Sequence, residues 1–248
     1  IQNNILGTKN IVDLSIESKV KKFILISSDK AVRPTNIMGA TKRIGELIAF
    51  EANHQSRNMR ICAVRFGNVI GSSGSVIPIF EKQIENGGPI TLTHKDVTRY
   101  FMTIKEAATL VIQAGGLCQN SDEIYLLDMG EPIKILDLAI KMVKLYGMTA
   151  FLTGEDSSED GDIEIRVTGL RPGEKLYEEL LVNNQSLKTV HPRINFERQN
   201  RINKDEFTGL LSELSKNLKN NNEDQISHIL KNFNIGFKHN RQSVSKKY

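Results

Sequence analysis

The segment Lys22-Phe23-Ile24-Leu25-Ile26-Ser27-Ser28 frames a continuous apolar run with polar residues. This is the pattern of a strand buried on both faces of a parallel sheet. After Pro34, apolar side chains recur at helical spacing through Ile44, Leu47 and Ile48, which predicts a helix from about Ile37 to Ala52. A second buried strand is predicted over Arg60–Phe66, followed by a Gly/Ser-rich loop over Gly67–Ser75. Strand, helix and strand in succession imply a right-handed parallel unit. A further unit follows, with a strand over Glu123–Asp128 and a helix over Ile133–Tyr146 that sets Ile135, Leu138, Ala139 and Met142 on one face.

The intervening pattern differs. Val76–Glu85 and Lys105–Leu117 read as helices, and Ile90–Leu92 and Tyr100–Thr103 as short strands, together forming substrate-side structure inserted beside the sheet. The chain opens in a helical pattern with Ile5, Ile11, Val12 and Ile16 spaced for one face. Residues 154–162 form an acidic, turn-rich loop ahead of a strand at Ile163–Val167. From about Asn183 the sequence turns polar and Asn-rich, with short amphipathic helices at about Lys204–Leu218 and Glu223–Phe233, and His239–Tyr248 is expected to be a disordered basic tail. There is no internal repeat. The fold class is therefore α/β.

At 248 residues, 39% apolar and 25% charged, the chain suits one sizeable domain, or one domain with an appendage. Its 33 Lys and Arg against 29 Asp and Glu are too nearly balanced to predict a nucleic-acid partner, while anionic small molecules remain open. Cys62 and Cys118 are expected to be core thiols, which suggests a reducing compartment. None of the five histidines stands at a metal-ligand spacing, so no structural metal is predicted. No apolar run reaches the roughly 20 residues needed to cross a bilayer, so no membrane segment is expected within the chain. It opens without an initiating Met, as a fragment does.

Ligands in parallel sheets sit beyond the carboxyl ends of the strands, and Ser27-Ser28-Asp29-Lys30 occupies that place. A hydroxyl, a carboxylate and an ammonium in succession can donate hydrogen bonds and carry protons, although such residues alone also suit a solvated turn. Met38 and Lys42, four apart, share a helix face. Taken alone, they also suit a core Met and a solvated Lys. Arg99 and Arg171 stand at the edges of structured sequence and carry the planar, permanent charge best matched to a diphosphate; a surface ion pair is the alternative for either one.

The combination is more specific. The run from Ser27 to Arg43, SSDKAVRPTNIMGATKR, resembles the central motif of extended short-chain dehydrogenases acting on nucleotide sugars, above all the polysaccharide-biosynthesis dehydratases of the CapD type. Arg65–Pro78 (RFGNVIGSSGSVIP), Thr98–Thr103 (TRYFMT) and Gly169–Leu176 (GLRPGEKL) are similar to further segments of that family, so the resemblance spans about residues 1–200. It implies the C-terminal half of a Rossmann-like parallel sheet with a small mixed α/β substrate-binding region. In this scheme residues 1–182 form the catalytic portion, with about 70–122 and 150–182 on the substrate side. Residues 183–238 form a helical appendage and 239–248 a tail.

The activity implied by resemblance is conversion of UDP-N-acetylglucosamine to a UDP-4-keto-6-deoxy sugar, with NAD or NADP as cofactor. Hydride is taken from C4, water is eliminated across C5 and C6, and hydride returns to C6. Carried over residue by residue, Ser28 bonds the C4 oxygen, Asp29 protonates the departing C6 hydroxyl, Lys30 is the C5 base and Lys42 binds the nicotinamide ribose. Met38 stands where the wider superfamily has the Tyr of a Tyr-x-x-x-Lys pair, and the resemblance makes a Met here typical of the longer, membrane-tethered members of this group. A thioether cannot accept the C4 hydroxyl proton, so that step passes to Asp29 or to a water. Ser27, Phe66 and Gly67 are expected beside the cofactor, and Asn68, Ser75, Val76, Arg99, Arg171 and Glu174 beside the UDP-sugar.

The glycine-rich turn that opens a dinucleotide site is absent, because Gly71-Ser72-Ser73-Gly74 follows a late strand. By resemblance the first half of the fold precedes Ile1, the full-length protein is a homo-oligomer in or at the cytoplasm, and helices outside the chain tether it to the inner membrane. A 4-epimerase of the same fold, or a binding-only fragment lacking the dinucleotide motif, are the competing expectations.

Overall fold

The computed structural model describes residues 1–55, 58–72, 74–119, 123–153, 161–179, 186–199 and 202–238. Of the acidic loop expected at 154–162, only Gly161 and Asp162 fall among them, and the expected tail at 239–248 lies outside them. A π-helical turn at Gln2–Gly7 leads into α1 (Thr8–Glu17), β1 (Lys22–Ile26), a 3-10 turn at Asp29–Ala31, α2 (Ile37–Gln55) and β2 (Arg60–Arg65). Next come β3 (Asn68–Val69), α3 (Val76–Glu85), β4 (Ile90–Leu92), β5 (Thr98–Arg99), β6 (Phe101–Met102), α4 (Ile104–Leu117) and β7 (Glu123–Leu127). The remainder is β8 (Ile133–Lys134), α5 (Ile135–Leu145), β9 (Ala150–Leu152), β10 (Ile163–Val167), β11 (Leu187–Lys188), β12 (Ile194–Arg198), α6 (Lys204–Lys219) and α7 (Glu223–Asn232).

These elements fall into two units, one from Ile1–Phe66, Ala108–Asp128 and Glu179–Tyr248, the other from Gly67–Ala107 and Met129–Glu178. The first holds a five-stranded sheet of order β1-β2-β7-β12-β11, in which β1, β2 and β7 run parallel and β12 returns antiparallel to β7. Both β2 from Ile61 onward and the whole of β7 are buried, as expected of central parallel strands. The expectation that β1 is buried on both faces is corrected. It is the edge strand among the described residues, and Ile26 at its end is 41% exposed.

Helix α2 is enclosed from Ile44 to Phe50. Its Ile44, Leu47 and Ile48 share one apolar core with Ile5 and Val12 on the amino-terminal side and with Phe207, Leu210, Leu214, Ile226 and Leu230 of α6 and α7. The sequence placed Ile11 on the same face as Ile5 and Val12, but Ile11 is 59% exposed. On a 3.6-residue repeat Ile11 stands about 100° from Val12 and about 120° from Ile5, so it faces away from the side those two share. Some of the Asn-rich composition late in the chain is capping. Asn203 Oδ1 accepts from the amides of Asp205 and Glu206 at the start of α6, and Asn222 Oδ1 accepts from Gln225 at the start of α7.

Helix α4, read from sequence with the inserted segment, divides between the units. From Ala108 it belongs to the first, where the Gly115 carbonyl accepts from Lys22 Nζ at 2.6 Å. The second unit contains a parallel sheet of order β4-β10-β9 and the paired strands β3-β6 and β5-β8. Its core is built from Phe80 and Ile84 of α3, Ile135, Ala139 and Met142 of α5, and Ile90 and Ile165 of the sheet. The α5 helix starts two residues later than expected, because Ile133 and Lys134 pair with Arg99 and Thr98. Cys62 and Cys118 are buried free thiols. Among the described residues, no helix is long and apolar enough to cross a membrane and no cluster of metal-ligating side chains occurs.

Leu214 is fully buried where α6 meets this core. Leu214→Ala is expected to destabilise the chain by about 2–5 kcal/mol through a cavity that cannot fully close. The check is a lowered urea midpoint at unchanged slope. An unshifted midpoint would mean that α6 does not contribute to the core.

Candidate active site

The parallel strands β1 and β2 end side by side, and the chain beyond each stays paired: the Ser27 amide donates to the Val64 carbonyl and the Asp29 amide to the Phe66 carbonyl. Ser28, in an extended conformation, caps the 3-10 turn, and its Oγ accepts from the Lys30 amide. The turn brings three functional groups together. Ser28 Oγ donates to Asp29 Oδ1 at 2.8 Å, and Lys30 Nζ donates to the same oxygen at 2.9 Å. Asp29 is completely buried, and its second oxygen, Oδ2, has no hydrogen-bond partner.

Helix α2 approaches this turn very closely at Gly39. A Cβ there would lie 2.2 Å from the Lys30 carbonyl oxygen, so only glycine lets the helix rest on the turn. Asn36 Oδ1 accepts from the Gly39 amide and fixes the start of the helix. One turn further, Lys42 Nζ donates to the Ile26 carbonyl at 3.2 Å, which places its ammonium at the carboxyl end of β1. Met38 is 43% exposed. Ser28, Asp29, Lys30 and Lys42 are thus gathered at the carboxyl end of one strand, as the sequence placed them.

Ser27 has a different engagement. Its hydroxyl donates to Glu46 Oε1 at 2.6 Å, within a buried charge network. Arg65 makes two parallel contacts to Glu46, Nε to Oε1 and Nη2 to Oε2, each 2.7 Å, and its third nitrogen reaches Glu197. Arg43 Nη1 adds a contact to Glu46 Oε2 at 2.8 Å. Burial alone would raise the Glu46 carboxyl, but the charge and hydrogen bonds of Arg65, helped by Arg43 and Ser27, hold it down to about 2. Burial likewise opposes the charge on Arg65, and Glu46 and Glu197 reverse that and raise it above its ordinary value. The network pins α2 and β12 to the end of β2, one residue before Phe66 and one residue before Ser28.

In the second unit, Asn68 begins β3, its amide donating to the Tyr100 carbonyl. Ser75 caps α3 by position, yet its hydroxyl makes no capping bond and is buried without a partner, with Val76 as the first helical residue. Arg99 and Glu174, from two separate motifs, meet: Arg99 Nη2 contacts Glu174 Oε1 at 3.2 Å, and Thr93 Oγ1 donates to the same oxygen at 3.0 Å. Arg99 Nη1 donates to the carbonyls of Thr98 and Leu176. Arg171 is exposed, and its amide donates to Glu174 Oε2. Arg99 and Glu174 are therefore mutual partners here, while the Arg171 side chain faces solvent.

The sequence profile of the polysaccharide biosynthesis protein family matches residues 1–199. The chain belongs to that family. Over 198 residues it is 52% identical to the capsular polysaccharide biosynthesis protein CapD of Staphylococcus aureus, covering 80% of this chain and 31% of that protein. It is 33% identical over 190 residues to the UDP-glucose 4-epimerase of Rickettsia canadensis, covering 76% of this chain and 51% of the relative. Among solved structures it resembles Pen from Bacillus thuringiensis, with 34% identity and a TM-score of 0.66, covering 82% of this chain and 60% of the other. The chain thus spans only about a third to a half of the length of these curated relatives. The Rossmann-like α/β expectation agrees with these comparisons.

Within this family member, the residues that sequence reasoning missed are Glu46, Arg43 and Glu197. A charge at position 46 among Ile44, Gly45, Leu47 and Ile48 was the available signal, since a lone carboxylate inside a buried helical face needs a partner. Glu46→Gln is expected to cost about 3–5 kcal/mol at neutral pH, because it leaves Arg65 buried beside a neutral group. With a carboxyl at 4.5 when unfolded and about 2 when folded, the stabilisation is fully present above pH 4.5 and is lost as pH falls through 2. Urea titrations of both proteins should therefore show a stability gap that is flat from pH 7 to 5 and closes below 4.5. A gap unchanged down to pH 2 would contradict this.

Proposed function

We propose that the full-length protein is a nucleotide-sugar 4,6-dehydratase of surface polysaccharide biosynthesis that acts on UDP-N-acetylglucosamine, with elimination at the carboxyl end of β1. The observation that carries this reading is Asp29, buried, with Oδ1 held by Ser28 and Lys30 and Oδ2 bare. A buried carboxylate oxygen without a partner is costly, and a sugar hydroxyl would satisfy it. The 52% identity to CapD supports the assignment to polysaccharide biosynthesis.

The chemistry that NAD supplies when bound is reversible hydride uptake. Lys42 fits its nicotinamide ribose, since the ammonium spends one named hydrogen bond on the Ile26 carbonyl and keeps other donors. Phe66, whose carbonyl accepts from the Asp29 amide, and Gly67 after it are the further residues this reading gives to the cofactor. The glycine-rich turn is not among these 248 residues, and in this reading the diphosphate end of the cofactor is held elsewhere in the full-length protein.

Ser28 Oγ donates a hydrogen bond to the C4 oxygen. Asp29 Oδ2 accepts the C4 hydroxyl proton, the step a tyrosinate would take and Met38 cannot. Oxidation at C4 acidifies the C5 proton, and Lys30, once its ion-paired ammonium has given a proton to solvent, takes it as the neutral amine. The C5–H electron pair forms the C5=C6 bond as the C6–O bond breaks, and Asp29 passes its proton to the departing hydroxyl, which leaves as water. As hydride returns to C6, Lys30 gives its proton back to C5, so that Asp29 ends ionised and Lys30 neutral, as the cycle began. On the substrate side, the unpartnered Ser75 hydroxyl at the start of α3, with Asn68 and Val76, is suited to phosphate oxygens, and Arg99, Arg171 and Glu174 supply the remaining contacts.

A second reading, C4 epimerisation, is favoured by the 33% identity to a UDP-glucose 4-epimerase. It needs neither an acid for C6 nor a base for C5, so the Asp29–Lys30 pair favours the dehydratase. In the full-length enzyme, Asp29→Asn and Lys30→Ala are each expected to lower kcat by about 10²- to 10⁴-fold, with a 4-keto-6-deoxy sugar as the wild-type product. Near-normal turnover by either variant would overturn the assignment of that residue, and a C4 epimer as product would establish the second reading.

A further inference from the structure

The family profile ends at residue 199, yet the chain beyond it is built into the site-bearing helix. Phe207, Leu210 and Leu214 of α6 and Ile226, Ile229 and Leu230 of α7 pack in the same core as Ala40 and Ile44 of α2. The following residues add Ile235 and Phe237, 6% and 7% exposed, to that core. At this point the chain meets the loop between the catalytic turn and α2. The Lys238 amide donates to the Pro34 carbonyl at 3.0 Å, and Gly236, at φ +72, lies beside Arg33, where a Cβ would make ordinary van der Waals contact with the Arg33 Cα at 3.9 Å.

That loop is short and unusual. Arg33 adopts φ +40, a left-handed conformation a non-glycine residue holds only where its surroundings fix it. Its Nε contacts Glu179 Oε2 at 3.2 Å. Pro34 to Asn36 then carry the chain to Gly39, where α2 rests on the Lys30 carbonyl. A rotation at Arg33 or Pro34 would move Asp29 and Lys30 relative to Met38 and Lys42, the two halves of the proposed site.

We infer that Phe233–Lys238, outside the family match, is a positioning latch. It holds the Arg33–Asn36 loop and thereby sets the spacing between the catalytic turn and α2. The description of the loop as catalytic rests on the dehydratase reading, whereas the latch itself is a property of the folded chain. One of its contacts is the Lys238 main-chain donor, which can be removed by itself: Lys238→Pro deletes the N–H, and Lys238→Ala retains it.

The test is residue-resolved amide exchange on the 248-residue chain, which needs neither substrate nor cofactor. Lys238→Pro should speed exchange of the amides of Val32, Gly39 and Ala40 by about three- to tenfold, the loss expected for one hydrogen bond. The central β2 and β7 amides and the thermal midpoint should stay as in the native chain, and Lys238→Ala should behave as native throughout. Phe237→Ala should produce the same local loosening, with Phe237→Leu restoring it in large part. Unchanged exchange at positions 32–40 in Lys238→Pro, or equal acceleration across the whole sheet, would overturn the latch. In the full-length enzyme, Lys238→Pro should lower kcat with KM for UDP-N-acetylglucosamine unchanged. If the loop loosens and kcat does not fall, the latch positions a loop that does not serve the chemistry, which overturns its positioning role. If Asp29→Asn is fully active while the loop loosens, the role given to Asp29 fails and the latch stands; a C4 epimer as product would overturn the dehydratase reading and likewise leave the latch standing.

Discussion

The ion pair between Arg65 and Glu46 is the constraint from which the arrangement of the first unit follows. Both side chains are completely buried, and two charges taken out of water are tolerable only when geometry and additional hydrogen bonds satisfy them. Arg65 ends the central strand β2, Glu46 lies mid-way along α2, Glu197 lies on β12 and Ser27 ends β1. One charge cluster therefore fixes where three elements meet and where two strands stop. Packing apolar side chains alone would allow α2 to slide along the sheet with little penalty. The forked guanidinium contact allows one register.

That register determines the chemistry. With Glu46 anchored, Lys42, one turn earlier on α2, falls over the Ile26 carbonyl, and Gly39 falls against the Lys30 carbonyl. The 3-10 turn is then trapped between β1 and α2, and Asp29 is buried with one oxygen free. The candidate site consists of a buried carboxylate, an adjacent ammonium and a hydroxyl held together by hydrogen bonds, the preorganisation that the proposed acid–base chemistry needs. Met38, exposed at the first turn of α2, offers no proton acceptor there, and in the dehydratase proposed above that role is given to Asp29.

Much of this was legible in the sequence because buried parallel strands and amphipathic helices carry strong periodic signals. The strands at 22–26, 60–65 and 123–127 and the helices at 76–85, 204–219 and 223–232 appear within a few residues of their predicted limits. The strands β9, β11 and β12 were not read, nor were the two-residue strands β3, β5 and β8, of which β8 was taken as the start of a helix. β9 and β11 are two or three residues long, and β12, Ile-Asn-Phe-Glu-Arg, spends a charged residue on the network rather than completing an apolar run. Ile11 was misplaced because on a 3.6-residue repeat it stands about 100° from Val12 and about 120° from Ile5, so it belongs to the opposite, exposed side of α1. The Arg65, Glu46 and Glu197 cluster joins positions 19 and 132 residues apart, and no local pattern links such positions. The grouping of Ser28, Asp29, Lys30 and Lys42 was recoverable because one strand and the next helix carry all four. The pairing of Arg99 with Glu174 was hidden, since both were expected to face the same ligand.

The central claim is that Asp29 and Lys30 conduct elimination across C5 and C6. Its most direct test is turnover of UDP-N-acetylglucosamine by the full-length enzyme in deuterium oxide, with the product read by NMR. Removal of the C5 proton by a side chain that exchanges with solvent, followed by its return, should give a 4-keto-6-deoxy sugar carrying deuterium at C5. A C4 epimer with no deuterium on carbon would contradict the account.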